Sequence, residues 1–235
     1  MELIDRLNVP LCQKTRIPVK TLGEQLQAEP SQKRLLETHV ASIYLVSLLN
    51  EQTMRIRAYK DDNYSFMAIY ILQIELKANE QMSDLCELIH SAFPESTLLL
   101  LKYRDKEYLS SASKRINKND KTKTVVEDAV WSQVMIGDSI DISSLNAYDL
   151  KALNEGINKL VYSLKIKNIT GIYPKGNHDY KNVIKRYESL NTEINRLQED
   201  YKKATMRSEK LSIDDNLFEK EAELQSLVRT LREGE

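Results

Sequence analysis

The chain has 235 residues, 41% of them hydrophobic and 29% charged, which is enough to bury one substantial core and to carry an appendage. Its formal net charge of -1 excludes a global electrostatic attraction to nucleic acid or to an anionic membrane, so a charged partner would have to be recognised by a local patch. The two cysteines are far apart, the first residues do not resemble a secretory leader, and the apolar runs are too short to cross a bilayer. These features predict a protein of the reducing cytoplasm.

The N-terminal third is predicted to begin irregularly and then to form a helix and strands. Three prolines keep the first 30 residues mostly irregular, apart from a short helix over 19–27. Ser31 is placed to cap a helix over 32–38. The apolar run over 40–49 fits either a buried strand or a second buried helix, because periodicity alone does not separate the two. Apolar and polar residues alternate over 53–59, which is typical of a half-buried strand.

The middle of the chain has the strongest strand signal. Both faces of the segment 64–77 are apolar, which predicts a central strand, and the residues 61–63 before it form a turn. An amphipathic helix is predicted over 82–93. The continuous apolar run over 97–103 predicts a strand covered on both faces, and a short turn leads to a hairpin partner over 107–112. Helix and strands mix without regular alternation, which favours an α+β fold with a mixed or antiparallel sheet and packed helices.

The last part of the globular domain is more polar. The segment 114–123 is basic, and a further strand is predicted over 124–131. Apolar residues at helical spacing predict an amphipathic helix over 145–164. Glycines and a proline between 171 and 177 mark a boundary. The globular domain is therefore predicted to cover residues 1–170.

A helical, coiled-coil-like tail is predicted over 177–235. Its first half repeats apolar residues at alternating steps of three and four, as in a coiled-coil seam. An interruption at Ser208 favours two helices folded as a hairpin over a single rod. We call the repeated residues the seam and interpret them as a candidate partner-binding surface: Tyr187, Leu190, Ile194, Leu197 and Tyr201. The alternative is that the tail helices pack on their own domain.

The order of several short segments resembles a known family. These segments are the lead-in Ile17-Pro18, the strand end Ile74-Glu75-Leu76-Lys77, the corner Phe93-Pro94, and Ala112-Ser113-Lys114-Arg115 running to Val125-Val126-Glu127, followed by a Glu-rich helical tail. Together they resemble the bacterial and archaeal family called domain of unknown function 4391, over nearly the whole chain. Members of that family are typically encoded beside DNA methyltransferases and helicases of restriction-modification or phage-defence islands. The resemblance therefore implies an accessory role there, with a helicase, a methyltransferase or both as partner, an inference by association.

A divalent-metal nuclease is the first alternative function. Glu75 and Lys77 project from the same face of a predicted strand, because strand side chains alternate with a period of two. An acid two residues before a lysine is how metal-dependent nucleases of the restriction-endonuclease type hold a divalent ion and steady the attacking water. Asp61 or Asp62 could supply the second acid that such an ion requires. The opposing interpretation is a solvated strand end.

A nucleic-acid-binding module is the second alternative. The basic segment could contact phosphates through Lys114, Arg115, Lys118, Lys121 and Lys123. The opposing interpretation is a solvated loop, because the whole chain is nearly neutral. Neither a cysteine and histidine cluster nor a phosphate-binding glycine loop is present in the sequence, so no metal and no cofactor are predicted.

The sequence as a whole favours an adaptor over these alternatives. We expect a non-enzymatic, cytoplasmic accessory subunit that docks on a protein partner through its C-terminal helices. Self-association through the same tail is also open. We expect no contact with a membrane.

Overall fold

A computed structural model of the protein describes residues 2–26, 28–121, 123–174 and 180–233. The chain divides into two compact units, Met1–Leu164 and Lys165–Glu235. Parts of four predicted segments lie outside the described residues: the end of the helix over 19–27, residue 122 of the basic segment, the end of the boundary over 171–177, and both ends of the tail.

Within the described residues, the first unit is built around a six-stranded mixed sheet. The strands of this unit are β1 (Thr15–Ile17), β2 (Val40–Leu49), β3 (Tyr59–Lys60), β4 (Ser65–Phe66), β5 (Ile69–Leu76), β6 (Ser96–Tyr103), β7 (Lys106–Ile116) and β8 (Thr124–Val134). The sheet order is β1-β2-β5-β6-β7-β8, and β3 and β4 form a separate ribbon. Neighbours in the sheet are antiparallel except β5 and β6, which are parallel.

Helices cover both faces of this sheet. The described helices of the two units together are α1 (Leu3–Arg6), α2 (Val19–Gln25), α3 (Pro30–His39), α4 (Glu51–Met54), α5 (Met82–Ser91), α6 (Leu150–Thr170), α7 (Tyr180–Lys203) and α8 (Arg207–Glu233), of which α7 and α8 belong to the second unit. The helix α5 forms the crossover that a parallel pair such as β5 and β6 requires. The α+β class with a mixed sheet and C-terminal helices, predicted from the sequence, is confirmed.

The central strands supply alternate residues to two hydrophobic cores. One core contains Ile71 of β5, Leu98 of β6 and Leu153 of α6. The other contains Leu72 of β5 and Ile89 of α5. All five side chains are almost fully buried, and each such side chain contributes about 2 kcal/mol through its removal from water. The two apolar faces predicted for the central strand therefore correspond to a helix-sheet-helix arrangement.

The strand predicted over 53–59 is wrong, because the chain forms α4 at its start. The side-chain oxygen of Asn50 accepts hydrogen bonds from the backbone N–H groups of Gln52 and Thr53, both at 3.0 Å. The Thr53 hydroxyl in turn accepts one from the Asn50 N–H at 2.9 Å. Such a reciprocal capping box starts a helix, and Arg55, with a left-handed φ of 57°, ends this one after a single turn.

Two other segments depart from the sequence-based prediction. The strand predicted over 64–77 is divided into β4 and β5, with Met67 and Ala68 between the two strands. The N-cap of α3 is Glu29 and not Ser31 as predicted, because Glu29 and Gln32 form the capping box. The apolar run over 40–49, for which the sequence allowed either a strand or a helix, forms the strand β2.

The second unit contains a helical hairpin. The helices α7 and α8 are joined by residues 204–206 and run antiparallel. The Arg186 Nε lies 2.9 Å from a Glu223 carboxylate oxygen, and the Lys220 Nζ lies 3.1 Å from a Glu193 carboxylate oxygen. The two-helix interpretation of the tail is thus correct. No helix in the described parts of the chain has the length and apolar composition needed to cross a bilayer.

Candidate functional site

The structure does not bring the predicted nuclease residues together. Glu75 of β5 lies beside Lys102 of β6, which lies beside Glu107 at one end of β7. The turn that contains Asp61 is attached to the other end of β7, where the Ile116 N–H donates to the Asn63 carbonyl at 2.7 Å. Nine residues of strand separate these two ends of β7, which is about 30 Å. Asp61 and Glu75 therefore lie at opposite ends of the sheet.

Both predicted nuclease regions have local structural contacts. The Asp61 carboxylate accepts hydrogen bonds at 2.7 Å from the backbone N–H groups of Asn63 and Tyr64 and from the Tyr59 hydroxyl. The Tyr59 hydrogen bond is the main reason why the pKa of Asp61 is below its usual value. The Lys77 ammonium donates to the Glu37 carbonyl at 2.7 Å. The described residues contain no group of three or more histidine, cysteine or acidic side chains that could hold a metal ion.

The predicted basic segment is divided between a strand and a hairpin tip. Lys114 is buried within β7. Arg115 pairs with Glu127, with its Nε 3.1 Å from a carboxylate oxygen, and the Lys123 ammonium lies 3.6 Å from Asp120. Lys118 and Lys121 are exposed at the tip between β7 and β8. The five residues therefore do not form one uniform basic patch.

Lys114 belongs to a buried polar layer that the sequence did not reveal. Its ammonium donates to the carbonyls of Phe93 at 2.9 Å and Glu95 at 2.6 Å. Burial lowers the pKa of Lys114 to about 7, and the negative charge of Glu95 opposes this change. Burial likewise raises the pKa of Glu95, one of whose buried carboxylate oxygens has no hydrogen-bond partner. Through its two hydrogen bonds, Lys114 fastens the segment between α5 and β6 to β7.

His90, in the last turn of α5, is fully buried in the same layer. Its Nδ1 is 2.5 Å from the Thr97 hydroxyl and its Nε2 is 2.9 Å from the Ser110 hydroxyl. Burial, with a smaller contribution from the charge of Lys114, holds the pKa of His90 well below its usual value. A neutral imidazole can donate through one nitrogen and accept through the other, which satisfies both hydroxyl contacts. The arrangement is that of a hydrogen-bonded core histidine.

An open groove separates α3 from α5. Its volume is about 830 Å³, and its lining includes Leu35 and Leu88 together with the charged Arg34, Asp84 and Glu87. This mixed lining combines apolar contact with charges of both signs, which is typical of many protein surfaces and does not specify one ligand.

The seam predicted for partner binding lies inside the helical hairpin. Leu190 is 0% exposed and Ile194 is 7% exposed, whereas Tyr187, Leu197 and Tyr201 are half-buried. The Arg186–Glu223 and Glu193–Lys220 ion pairs described above join α7 and α8 along this part of the hairpin. Tyr187 also lines one groove with Leu224 and Val228 of α8. The seam therefore serves first to hold α7 and α8 together.

The opposite side of α8 exposes large apolar side chains. Phe218 is 77% exposed and Leu211 is 56% exposed. These residues are seven apart, so they lie on the same side of the helix, two turns from each other. We define the outer face of α8 by the exposed residues on this side: Leu211, Asp214, Asp215, Phe218, Glu221 and Ala222. This face is inconspicuous in the sequence because the longest apolar repeat of the tail lies on α7.

Comparison with known proteins identifies the family. Curated proteins and solved structures gave no match to the chain. The model of one protein family, described as a domain of unknown function, matches residues 10–224, which includes the sheet, α5, α6 and most of the helical hairpin. The resemblance drawn from the sequence is thereby confirmed: the chain belongs to the family of domain of unknown function 4391 (DUF4391).

Proposed function

We propose that the protein is a non-enzymatic accessory subunit, or adaptor, that binds a protein partner through the outer face of α8. The observation that carries this proposal is the exposure of Phe218 and Leu211 on a helix whose other side is packed against α7. Burying a phenylalanine and a leucine against a partner would remove both from water, and aromatic residues are frequent anchors of protein interfaces.

The seam has an indirect part in this proposal. Burial of Leu190 and Ile194 supports assigning the seam to the pairing of α7 with α8, because these side chains are not accessible to a partner. A hairpin held by its seam presents α8 as a pre-formed helix, which reduces the entropy lost on binding. Partner binding then depends on the seam through the stability of the hairpin.

The family supplies the proposed biological setting. DUF4391 proteins are expected beside DNA methyltransferases and helicases of restriction-modification or phage-defence systems, so we propose one of these enzymes as the partner. We propose the reducing cytoplasm as the setting.

Nucleic-acid binding remains a second candidate function. Lys118 and Lys121 are exposed at the tip of the β7–β8 hairpin, and the hydrogen bond from Ile116 to Asn63 brings the turn that follows Lys60 next to this tip. A cluster of exposed lysines can bind phosphates with a strong dependence on salt. The nuclease alternative lacks comparable support, because Asp61 and Glu75 lie apart.

Pull-down assays with the neighbouring enzymes test the proposal. The tagged full chain is incubated with the purified methyltransferase and helicase encoded beside its own gene. Phe218→Asp should abolish retention of the partner because it places a charge where the partner would desolvate an aromatic ring. Ser226→Asp is the matched control, because it adds the same charge at an exposed position of α8 about 80° around the helix. Equal retention by both variants would contradict the proposal.

A further inference from the structure

The outer face of α8 has a distinctive distribution of charge. Asp214, Asp215 and Glu221 surround Phe218, all of them exposed. Basic residues on the same side of the helix occur only farther away, at Arg207, Arg229 and Arg232, each at least eleven residues from Phe218, and the last two line the groove with Tyr187. The basic residues Lys210 and Lys220 are half-buried, and Lys220 pairs with Glu193 of α7. The apolar centre of the outer face is therefore rimmed by carboxylates.

This distribution opposes pairing of the face with a second copy of itself. An antiparallel pair centred on Phe218 places Asp215 opposite Glu221, and it also places Arg207 opposite Arg229. Like charges at such positions are unfavourable, by analogy with charge pairing between coiled-coil helices.

Two further self-pairing registers meet the same difficulty. The antiparallel register that brings Leu211 onto Phe218 is centred between Asp214 and Asp215, and it sets each of these carboxylates against the other's copy. A parallel pair sets every residue beside its own copy, so that Asp214, Asp215 and Glu221 again face like charges. The occupant that relieves these repulsions is a different protein with basic residues around the contact.

We propose that the partner of the outer face is a protein surface with an apolar cleft for Phe218 and Leu211 and with lysine or arginine side chains at its rim. This inference rests on the proposed function and adds the chemistry of the partner to it. The basic rim residues would lie opposite Asp214, Asp215 and Glu221. Complementary charges of this kind increase the association rate and select against wrong partners, and the buried aromatic anchor supplies most of the affinity.

A photo-cross-linking residue placed at position 218 of the full chain identifies the occupant in the native host. The expected product joins α8 to one other protein, and the cross-linked segment of that protein contains lysine or arginine beside apolar residues. The partner is then purified, and its affinity is measured at low and high salt for the original protein and for variants. Cross-linking to another copy of α8, or to no protein, would overturn the inference.

Two sets of variants separate this inference from the proposed function. Phe218→Ala should weaken binding by about 30-fold at every salt concentration, the loss expected for a central interface anchor. The triple change Asp214→Asn, Asp215→Asn and Glu221→Gln should weaken binding by roughly three- to tenfold at low salt and flatten the salt dependence. Glu219→Gln, an exposed change to the side of the outer face, should do neither.

The outcomes of these measurements are distinct. If Phe218→Ala weakens binding but the triple change leaves both affinity and salt dependence unaltered, docking through α8 stands and the basic-rim inference is wrong. If Phe218→Ala leaves the affinity unaltered, the docking surface of the proposed function is itself wrong. Salt dependence that is lost equally in the Glu219→Gln control would also overturn the inference, because the effect would then reflect total charge alone.

Discussion

Replacing Lys114 by methionine should change how the stability of the first unit depends on pH. The ammonium of Lys114 is buried within β7 and donates to the carbonyls of Phe93 and Glu95. Methionine keeps an unbranched side chain of similar length and removes the titrating group. The comparison therefore isolates the free energy of burying a proton on this amine.

The size of the effect follows from the two pKa values. The pKa of Lys114 is about 7 in the folded protein, against an ordinary value of 10.5. Below pH 7 both the folded and the unfolded states carry the proton, so the cost of burying the charge is at its maximum. Between pH 7 and pH 10.5 the unfolded state binds more protons, so the free energy of unfolding rises with pH. Integration from pH 7 to pH 9 gives a gain of about 2 kcal/mol in the original protein.

Urea unfolding followed by tryptophan fluorescence measures this gain. Trp131 is the one tryptophan of the chain and lies in β8, where its ring packs against Tyr108 and its N–H donates to Ser83. Its emission therefore reports unfolding of the first unit. The stability of the original protein relative to that of Lys114→Met should rise by about 2 kcal/mol from pH 7 to pH 9. Lys118→Met, at an exposed position, is the control.

The reasoning would be refuted by parallel pH profiles. If Lys114→Met and the original protein differ by a constant amount across this range, Lys114 does not change its protonation on folding. Its position in a desolvated layer would then be incorrect. A growing difference in the Lys118→Met control would instead show that the effect is not specific to the buried amine.

Three further predictions concern His90, the seam and the predicted nuclease pair. His90 has a lowered pKa in the folded state, so the free energy of unfolding should decrease as the pH drops below 6.5, by up to about 2 kcal/mol at pH 5. His90→Gln should lack this part of the loss in the same urea assay. Leu190→Asp should open the hairpin by burying a charge, at a cost of about 3 kcal/mol or more, which circular dichroism should record as lost helix while Trp131 fluorescence is unchanged. Replacing Glu75 and Lys77 by alanine should make no difference in a DNA-cleavage assay with magnesium or manganese. If the original protein cleaved DNA with either metal and this variant did not, the nuclease alternative would be restored.

The parts of the fold that could be predicted are those in which a single local pattern of apolar residues determines the secondary structure. The strands β5 and β6 are long apolar runs bounded by turns, and α5 is amphipathic over its full length. Burial on both faces of a strand needs no knowledge of distant residues, because the run is apolar at every position. The two tail helices were predictable for a similar reason, since helical spacing and few turn-forming residues act together.

The parts that were missed depend on polar contacts. Asn50 converts the start of an apparent strand into α4 through its side-chain hydrogen bonds. Lys114 looked like part of a solvated loop because its neighbours are basic. It lies two residues after Ala112 and four after Ser110, so extending the predicted strand would have placed it on the same face as these buried residues.

The candidate site was only partly predictable. The sequence correctly indicated helices in the tail, but the most regular apolar repeat is the one that α7 buries against α8. An exposed binding face has fewer apolar residues than a buried one, so Phe218 and Leu211 gave a weaker signal than the seam. Their exposure is seen only in the structure, where the seam is buried inside the hairpin and Phe218 and Leu211 are left exposed.

Hydrogen exchange of the full chain, with and without its purified partner, tests the central proposal most directly. Because partner binding stabilises the helix it contacts, amide exchange should slow in α8 around Leu211 to Ala222, while exchange in the groove between α3 and α5 and at the tip between β7 and β8 stays unchanged. Slower exchange at the groove or the tip, with α8 unchanged, would contradict docking through the outer face of α8.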